Sequence, residues 1–225
     1  MAEVPGRVAM VVGATGLVGR EILAALLADS TYASVHSVGR RKLAQSHRKL
    51  VQHVVDFVAV PRLPKADDVF IALGTTIKVA GSQVAFRAVD FEAVRSVALA
   101  AQASGATKLG VVSAMGASPK SSVFYNRVKG EMEEALAKLG FKVLVIARPS
   151  MLAGQRQELG QPTRPGEHVA LGLTRLLAPL IPANYRSIDA KDVAIALVQA
   201  VISSPSGAYC LMSGEMQGAS KPHPA

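Results

Sequence analysis

The sequence predicts an α/β protein: a doubly wound parallel sheet covered by helices on both faces, with a small C-terminal substrate lobe. Three observations carry this expectation. Apolar, β-branched runs alternate with amphipathic ones almost from end to end of the 225 residues, as strands buried on both faces and joined by helical crossovers do. The first of these runs leads into Gly13, Gly16 and Gly19, spaced GxxGxxG, and an amphipathic run leaves them. Half of the chain is apolar, which suits one well-buried domain and leaves no room for two.

Taken in order, strands are expected near 7–12, 34–38, 51–56, 68–73, 107–113 and 141–147, with a short last strand near 208–212. Helices are expected near 17–28, 83–104, 122–139, 167–177 and 189–203, the last with Asp189 and Asp192 in its first turn, where carboxylates suit the helix dipole. The alternation breaks only between Arg148 and Glu167, where Gly, Pro, Gln and Arg dominate; a loop of that length in a compact domain reads as functional. The expected organisation is one domain over 1–215, its substrate lobe formed mainly by 148–215. A Gly/Pro/Ser-rich tail over 216–225 is expected to be disordered.

The glycines sit where a buried strand feeds a helix N-terminus. Unpaired N–H groups and the positive dipole end meet there, which suits a pyrophosphate. In this Rossmann-type unit Gly13 allows the tight turn, Gly16 lets the backbone approach the phosphates, and Gly19 lets the helix pack on the strand. Thr15, Leu17 and Val18 share the turn and belong to the same candidate cofactor-binding segment.

The net charge of +9 is unevenly spread. Arg40, Arg41, Lys42, Arg48 and Lys49 fall between His36 and Leu50 with no acid among them. In dinucleotide-binding units an acid at the end of the second strand holds the ribose 2′-OH of NAD, whereas an Arg accommodates the 2′-phosphate of NADP. Here that position reads Ser37-Val38-Gly39-Arg40-Arg41-Lys42, with no carboxylate. The expected cofactor is therefore NADP(H), with Arg40 and Arg41 as planar, charge-assisted contacts. Asp56 and Phe57 end the third strand and suit an adenine ring. Leu73, Gly74, Thr75 and Thr76 end the fourth and could line the cofactor's path, although an Asp or Thr there is also an ordinary turn former.

Composition bounds the partners. Aromatics are 4% of the chain and interleave with no basic strip, so no nucleic-acid module is expected. No apolar run reaches the length of a membrane span, and the glycine motif begins too early for a secretory leader. The lone Cys210 excludes an internal disulfide and reads as a buried thiol; no metal site is expected. The expected placement is cytoplasmic, and the expected partner a small-molecule carbonyl or alcohol. Oligomeric state is not derivable.

The segment Ser121-Ser122-Val123-Phe124-Tyr125-Asn126-Arg127-Val128-Lys129 opens a helix, with Ser121 or Ser122 as its expected cap. Tyr125 and Lys129 lie four apart, on the face that continues through Met132 and Leu136. This stripe points inward, and Gly130 beside it could admit the close approach of another element. Ser113 ends the preceding strand.

On these residues the sequence resembles the short-chain dehydrogenase/reductase superfamily, in its atypical or extended branch, and within it the Tat-interacting-protein-like oxidoreductase group. The matching pieces are Gly13 to Gly19, Gly39-Arg40-Arg41-Lys42, Val55-Asp56-Phe57, Leu73-Gly74-Thr75-Thr76, Tyr125 to Lys129, Arg148-Pro149 and Arg164-Pro165-Gly166-Glu167. The resemblance implies that Tyr125 is the general acid or base, that Lys129 stabilises tyrosinate and binds the nicotinamide ribose, and that Ser113 holds the substrate oxygen. It also implies Tyr125, Lys129 and Arg148 at the cofactor. Bringing a phenol from near 10 to about 7 takes roughly 4 kcal/mol; a nearby ammonium and an oxidised nicotinamide are the expected sources. One departure is Asp90, which stands where the shorter enzymes carry a proton-relaying Asn.

The long loop carries Gln155, Arg156, Gln157, Glu158, Arg164 and His168. Its arginines suit either an acidic substrate group, local acids or the cofactor phosphates, and nothing there names the substrate. Two functional readings stand: an NADP-dependent oxidoreductase interconverting a small carbonyl and alcohol, or an NADP(H)-binding regulatory or interaction protein with little turnover.

Overall fold

The computed structural model describes residues 6–153 and 182–221. Seven parallel strands form one sheet in the order β3-β2-β1-β4-β5-β6-β7, comprising β1 (Arg7–Val12), β2 (Tyr32–Gly39), β3 (Leu50–Val54), β4 (Asp68–Ile71), β5 (Lys108–Val112), β6 (Val143–Arg148) and β7 (Gly207–Met212). The helices are α1 (Leu17–Ala28), α2 (Ile77–Ala80), α3 (Gln83–Arg87), α4 (Val94–Ala103), α5 (Phe124–Ala137), α6 (Ala190–Ser203) and α7 (Ser213–Met216). A π-helical turn, Ala88–Ala93, joins α3 to α4, and a 3₁₀ turn spans Ala183–Tyr185.

Strand alternation builds two core layers. Along β1, Ala9 and Val11 face α1 and α6, packing with Ile22, Leu23, Leu197 and Val201. Met10 and Val12 face the other way, toward Val94 and Val97 of α4 and Met132 and Leu136 of α5. The two-residue period of the strand thus fills both faces. At the end of the sheet where the strands begin, Asp68 is fully buried and accepts from Arg7 Nε at 3.0 Å and from the Tyr32 hydroxyl at 2.8 Å. Burial beside Asp68 holds the Tyr32 phenol far above its ordinary pKa. This pairing stands at the opposite end from the carboxyl ends of the strands, where ligands bind in open α/β sheets.

Several expectations need correcting. The helix expected over 83–104 is interrupted by the π-helical turn, and α2 was not foreseen. The N-cap of α5 is Val123, with no capping side chain; Ser121 accepts from the Val123 N–H at 3.2 Å in a turn instead. Cys210 is exposed, because β7 is an edge strand. Much of the expected C-terminal lobe belongs to the main layers, since β7 extends the sheet and α6 covers it. Residues 216–221 are tied down: Asp192 accepts from the N–H groups of Gly218 and Ser220, each at 2.9 Å, and Met216 is fully buried. The helix expected at 167–177, and with it Gln155, Arg156, Gln157, Glu158, Arg164 and His168, lies outside the described residues.

Candidate active site

Two adjoining cavities open at the carboxyl ends of the strands. One, of about 410 Å³, takes in Gly13, Thr15, Gly16, Arg40, Arg41, Asp56, Phe57, Leu73 and Gly74. The other, of about 390 Å³, takes in Gly16, Leu17, Val18, Leu73, Gly74, Thr75, Thr76, Ser113, Tyr125 and Lys129. Gly16, Ala72, Leu73 and Gly74 line both, so the glycine turn and the end of β4 join the two. Of the candidate residues, only Gly19 and Arg148 line neither.

The first cavity is built on the glycine turn. Gly13 has φ of +91°, and a Cβ on Gly19 would fall 2.1 Å from the Gly13 carbonyl oxygen, so neither position accepts a side chain. That contact brings α1 down onto the end of β1. Gly16 caps α1 without any side-chain hydrogen bond, leaving the first N–H groups of the helix to a ligand. Arg40 and Arg41 stand at the mouth, exposed and in no ion pair with a described residue. Asp56 also serves its own turn, accepting from the Val58 N–H at 3.0 Å.

In the second cavity the strand and helix supplying the polar side chains are held close. Ser113 follows β5, its N–H donating to the Ala147 carbonyl at 2.8 Å. Its hydroxyl is buried and has no hydrogen-bond partner among the described residues. A buried hydroxyl without a partner is costly, so this one is suited to hydrogen-bond a ligand. Gly130 fits a close crossing: a Cβ there would fall 2.2 Å from the carbonyl carbon of Ser118. The loop between Ser113 and α5 therefore lies directly on the helix.

Lys129 is 3% exposed, and its ammonium sits 2.8 Å from Oδ1 of the fully buried Asp90. The other Asp90 oxygen accepts from the Thr75 N–H at 2.9 Å. Removing one partner from such a buried pair costs about 3–5 kcal/mol. The pair alters the expected electrostatics of Tyr125. Its phenol is held above the ordinary value: burial raises it most, Lys129 lowers it, and Asp90 raises it again. The expected lowering by Lys129 is overcome by burial and by the carboxylate beside the ammonium. Phe86 packs against the Tyr125 ring at 5.4 Å between centroids.

Arg148, expected at the cofactor, instead donates to Glu133 of α5 from Nε at 3.1 Å. The residue not named as a site residue from sequence is Asp90. Its signal was present: Phe86, Asp90, Val94, Val97, Ala98 and Ala101 form one buried stripe, and an acid on an apolar stripe demands a partner.

These residues fit a dinucleotide. The open helix N-terminus suits a pyrophosphate, and the Ser113 hydroxyl, unpartnered among the described residues, suits a polar ligand atom at the far end. Among the described residues no group of three or more His, Cys, Asp or Glu side chains could hold a metal ion, and no helix is long and apolar enough to cross a membrane.

No family model matches the chain. It is 32% identical over 212 residues to Protein HTATIP2 of Rattus norvegicus, covering 91% of this chain and 85% of that protein. It is 34% identical over 209 residues to the mitochondrial protein fmp52 of Aspergillus fumigatus, covering 87% of each. Among solved structures, a UDP-N-acetylglucosamine 4-epimerase from Methanobrevibacter ruminantium superposes with a TM-score of 0.68 at 17% identity, over 92% of this chain and 76% of that one. A short-chain dehydrogenase family protein from Francisella tularensis gives 0.66 at 12% identity, over 93% and 98%. MoeE5, solved with UDP-glucose and NAD, gives 0.66 at 16% identity, over 92% and 75%. These structures share the fold. The fungal relatives are named as mitochondrial, which overturns the expectation of a cytoplasmic protein: the features of the sequence behind it argued against secretion and a membrane span, and did not bear on an organelle.

Proposed function

The chain belongs to the family of HTATIP2 and FMP52, an atypical group of the short-chain dehydrogenases/reductases, and on that premise we propose an NADP-dependent oxidoreductase that interconverts a small carbonyl and alcohol. One observation carries the reading: Ser113, Tyr125 and Lys129 line a single cavity that joins the arginine-edged cavity through the glycine turn. A solved neighbour that holds NAD supports a nicotinamide dinucleotide; Arg40 and Arg41, at a strand end that carries no carboxylate of its own, support its 2′-phosphorylated form.

When bound, the cofactor supplies the hydride chemistry. The N-terminus of α1 would hold the pyrophosphate, Arg40 and Arg41 the 2′-phosphate, and Lys129 the nicotinamide ribose. The Ser113 hydroxyl donates to the substrate oxygen and fixes its distance from the Tyr125 phenol, which passes its proton to that oxygen in reduction.

The test is Tyr125→Phe, assayed with NADPH against a panel of aldehydes and ketones. The variant should lose turnover by about 10³-fold and keep its affinity for NADPH. Equal turnover by the variant sinks the assigned role. A wild-type protein that binds NADPH and reduces none of the panel would favour the alternative, a binding protein of regulatory function.

A further inference from the structure

We propose that Asp90 is a positioning residue that fixes the Lys129 ammonium at the base of the cavity and cancels its charge, so that the resting site holds Tyr125 as the neutral phenol, the form that can donate a proton to a carbonyl oxygen. The inference rests on the oxidoreductase reading and deepens it by assigning the resting protonation state of its proton-transfer group.

The geometry is specific. Asp90 comes from the middle of the six-residue π-helical turn, Ala88–Ala93. Wide turns of this kind are rare and occur mostly where function needs a side chain re-aimed. One carboxylate oxygen accepts from the Thr75 N–H at 2.9 Å, and the other faces the Lys129 ammonium 2.8 Å away as an ion pair. The pair lies under the cofactor path, since a Cβ on Gly74 would fall 3.4 Å from Asp90 Oδ1 and 3.8 Å from Lys129 Nζ. An Asn would accept from Thr75 equally well but would leave the ammonium uncompensated. The carboxylate therefore supplies what an amide lacks: charge.

The consequence falls on the neighbouring phenol. Among the described residues the charged groups acting on Tyr125 are Lys129, from its own helix, and Asp90, from the π-helical turn. Phe86 of α3 and Ser113 after β5, which also border it, carry no charge. With the ammonium balanced and the ring largely buried, the neutral phenol is the favoured form, and a neutral phenol is a donor. In the step so favoured, a hydride from the reduced nicotinamide reaches the carbonyl carbon as the carbonyl π bond opens. The Tyr125 O–H bond breaks, its proton goes to the oxygen, and solvent water reprotonates the phenolate.

The test follows tyrosinate absorbance through an alkaline titration of the cofactor-free protein, with Tyr125→Phe subtracted to isolate this one phenol. In Asp90→Asn the midpoint should move to lower pH by about one unit or more; in Lys129→Met it should move to higher pH. Opposite signs distinguish charge from general loosening, which would move both variants the same way. A midpoint unchanged or raised in Asp90→Asn overturns the proposal. Asp90→Ser, which keeps an acceptor near the Thr75 N–H, serves if the Asn variant does not fold. In a second arm, the alkaline limb of NADPH-dependent reduction should move to lower pH in Asp90→Asn by the same amount, and an unmoved limb overturns the proton-donor role. A wild-type protein without turnover overturns the oxidoreductase reading and that role together, while the titration alone still decides whether Asp90 sets the charge state of Tyr125.

Discussion

Arg148, at the last position of β6, lines neither cavity and is held by Glu133 of α5, whose side chain is only 7% exposed. The bond ties the sixth strand to the helix that carries Tyr125. Arg148→Met should therefore lower stability by about 2–4 kcal/mol, toward the lower end because the guanidinium side chain remains 29% exposed. Its affinity for NADPH should match that of the wild type, as ligand titration beside a denaturant melt would show; a selective loss of NADPH binding would return Arg148 to the cofactor site.

Ser113 separates chemistry from stability in the opposite sense. Its buried hydroxyl bonds nothing among the described residues, so Ser113→Ala should leave the unfolding midpoint unchanged or slightly raised. Turnover should fall by roughly 10²–10³. A clear loss of stability would mean that the hydroxyl has a structural partner.

Arg40 and Arg41 are exposed at the mouth of the first cavity. Replacing both by Ala should weaken NADPH by about 10–100-fold and leave NADH nearly unchanged. Isothermal titration with the two cofactors reads this directly, and a parallel loss of both would refute recognition of the 2′-phosphate.

Asp192 gives a pH dependence with a definite sign. Burial alone would raise its pKa, but hydrogen bonds from Ser220 and Gly218 outweigh it and hold the carboxyl below its ordinary value. A carboxyl depressed in the folded state stabilises it fully above the unfolded value near 4, and that contribution is lost as pH falls through the folded value. The amides of Gly218 and Ser220 should thus lose exchange protection on acidification below about pH 4, ahead of the sheet. In Asp192→Asn their protection should already be reduced at neutral pH. Protection that stays constant through this range would show that the segment is held by other contacts.

The sheet was legible because each buried strand is a short apolar run, and the glycine turn because the glycines fall between a strand and a helix. Tyr125 and Lys129 were legible through their spacing on an inward stripe. Asp90 was read only as a replacement for an Asn. The π-helical turn lengthens one turn of backbone without any residue that announces it, so sequence shows an acid on a buried stripe and not what it meets. Arg148 was misplaced for a related reason: its partner Glu133 is 15 residues away in sequence, and only the packing of α5 beside β6 brings them together. The order of residues 216–221 was missed because it depends on Asp192, a distant helix-start carboxylate whose expected task was to face a dipole.

Gly130 follows Lys129 directly, and the chain at Ser118 and Pro119 rests where its side chain would otherwise be. That same loop is pinned by the Ser118 N–H donating to the Asn126 carbonyl at 3.0 Å. The span between Ser113 and Tyr125 is therefore gauged by a missing carbon: a single methyl at this crossing would lift the loop off the helix and shift the Ser113 hydroxyl against the Tyr125 phenol.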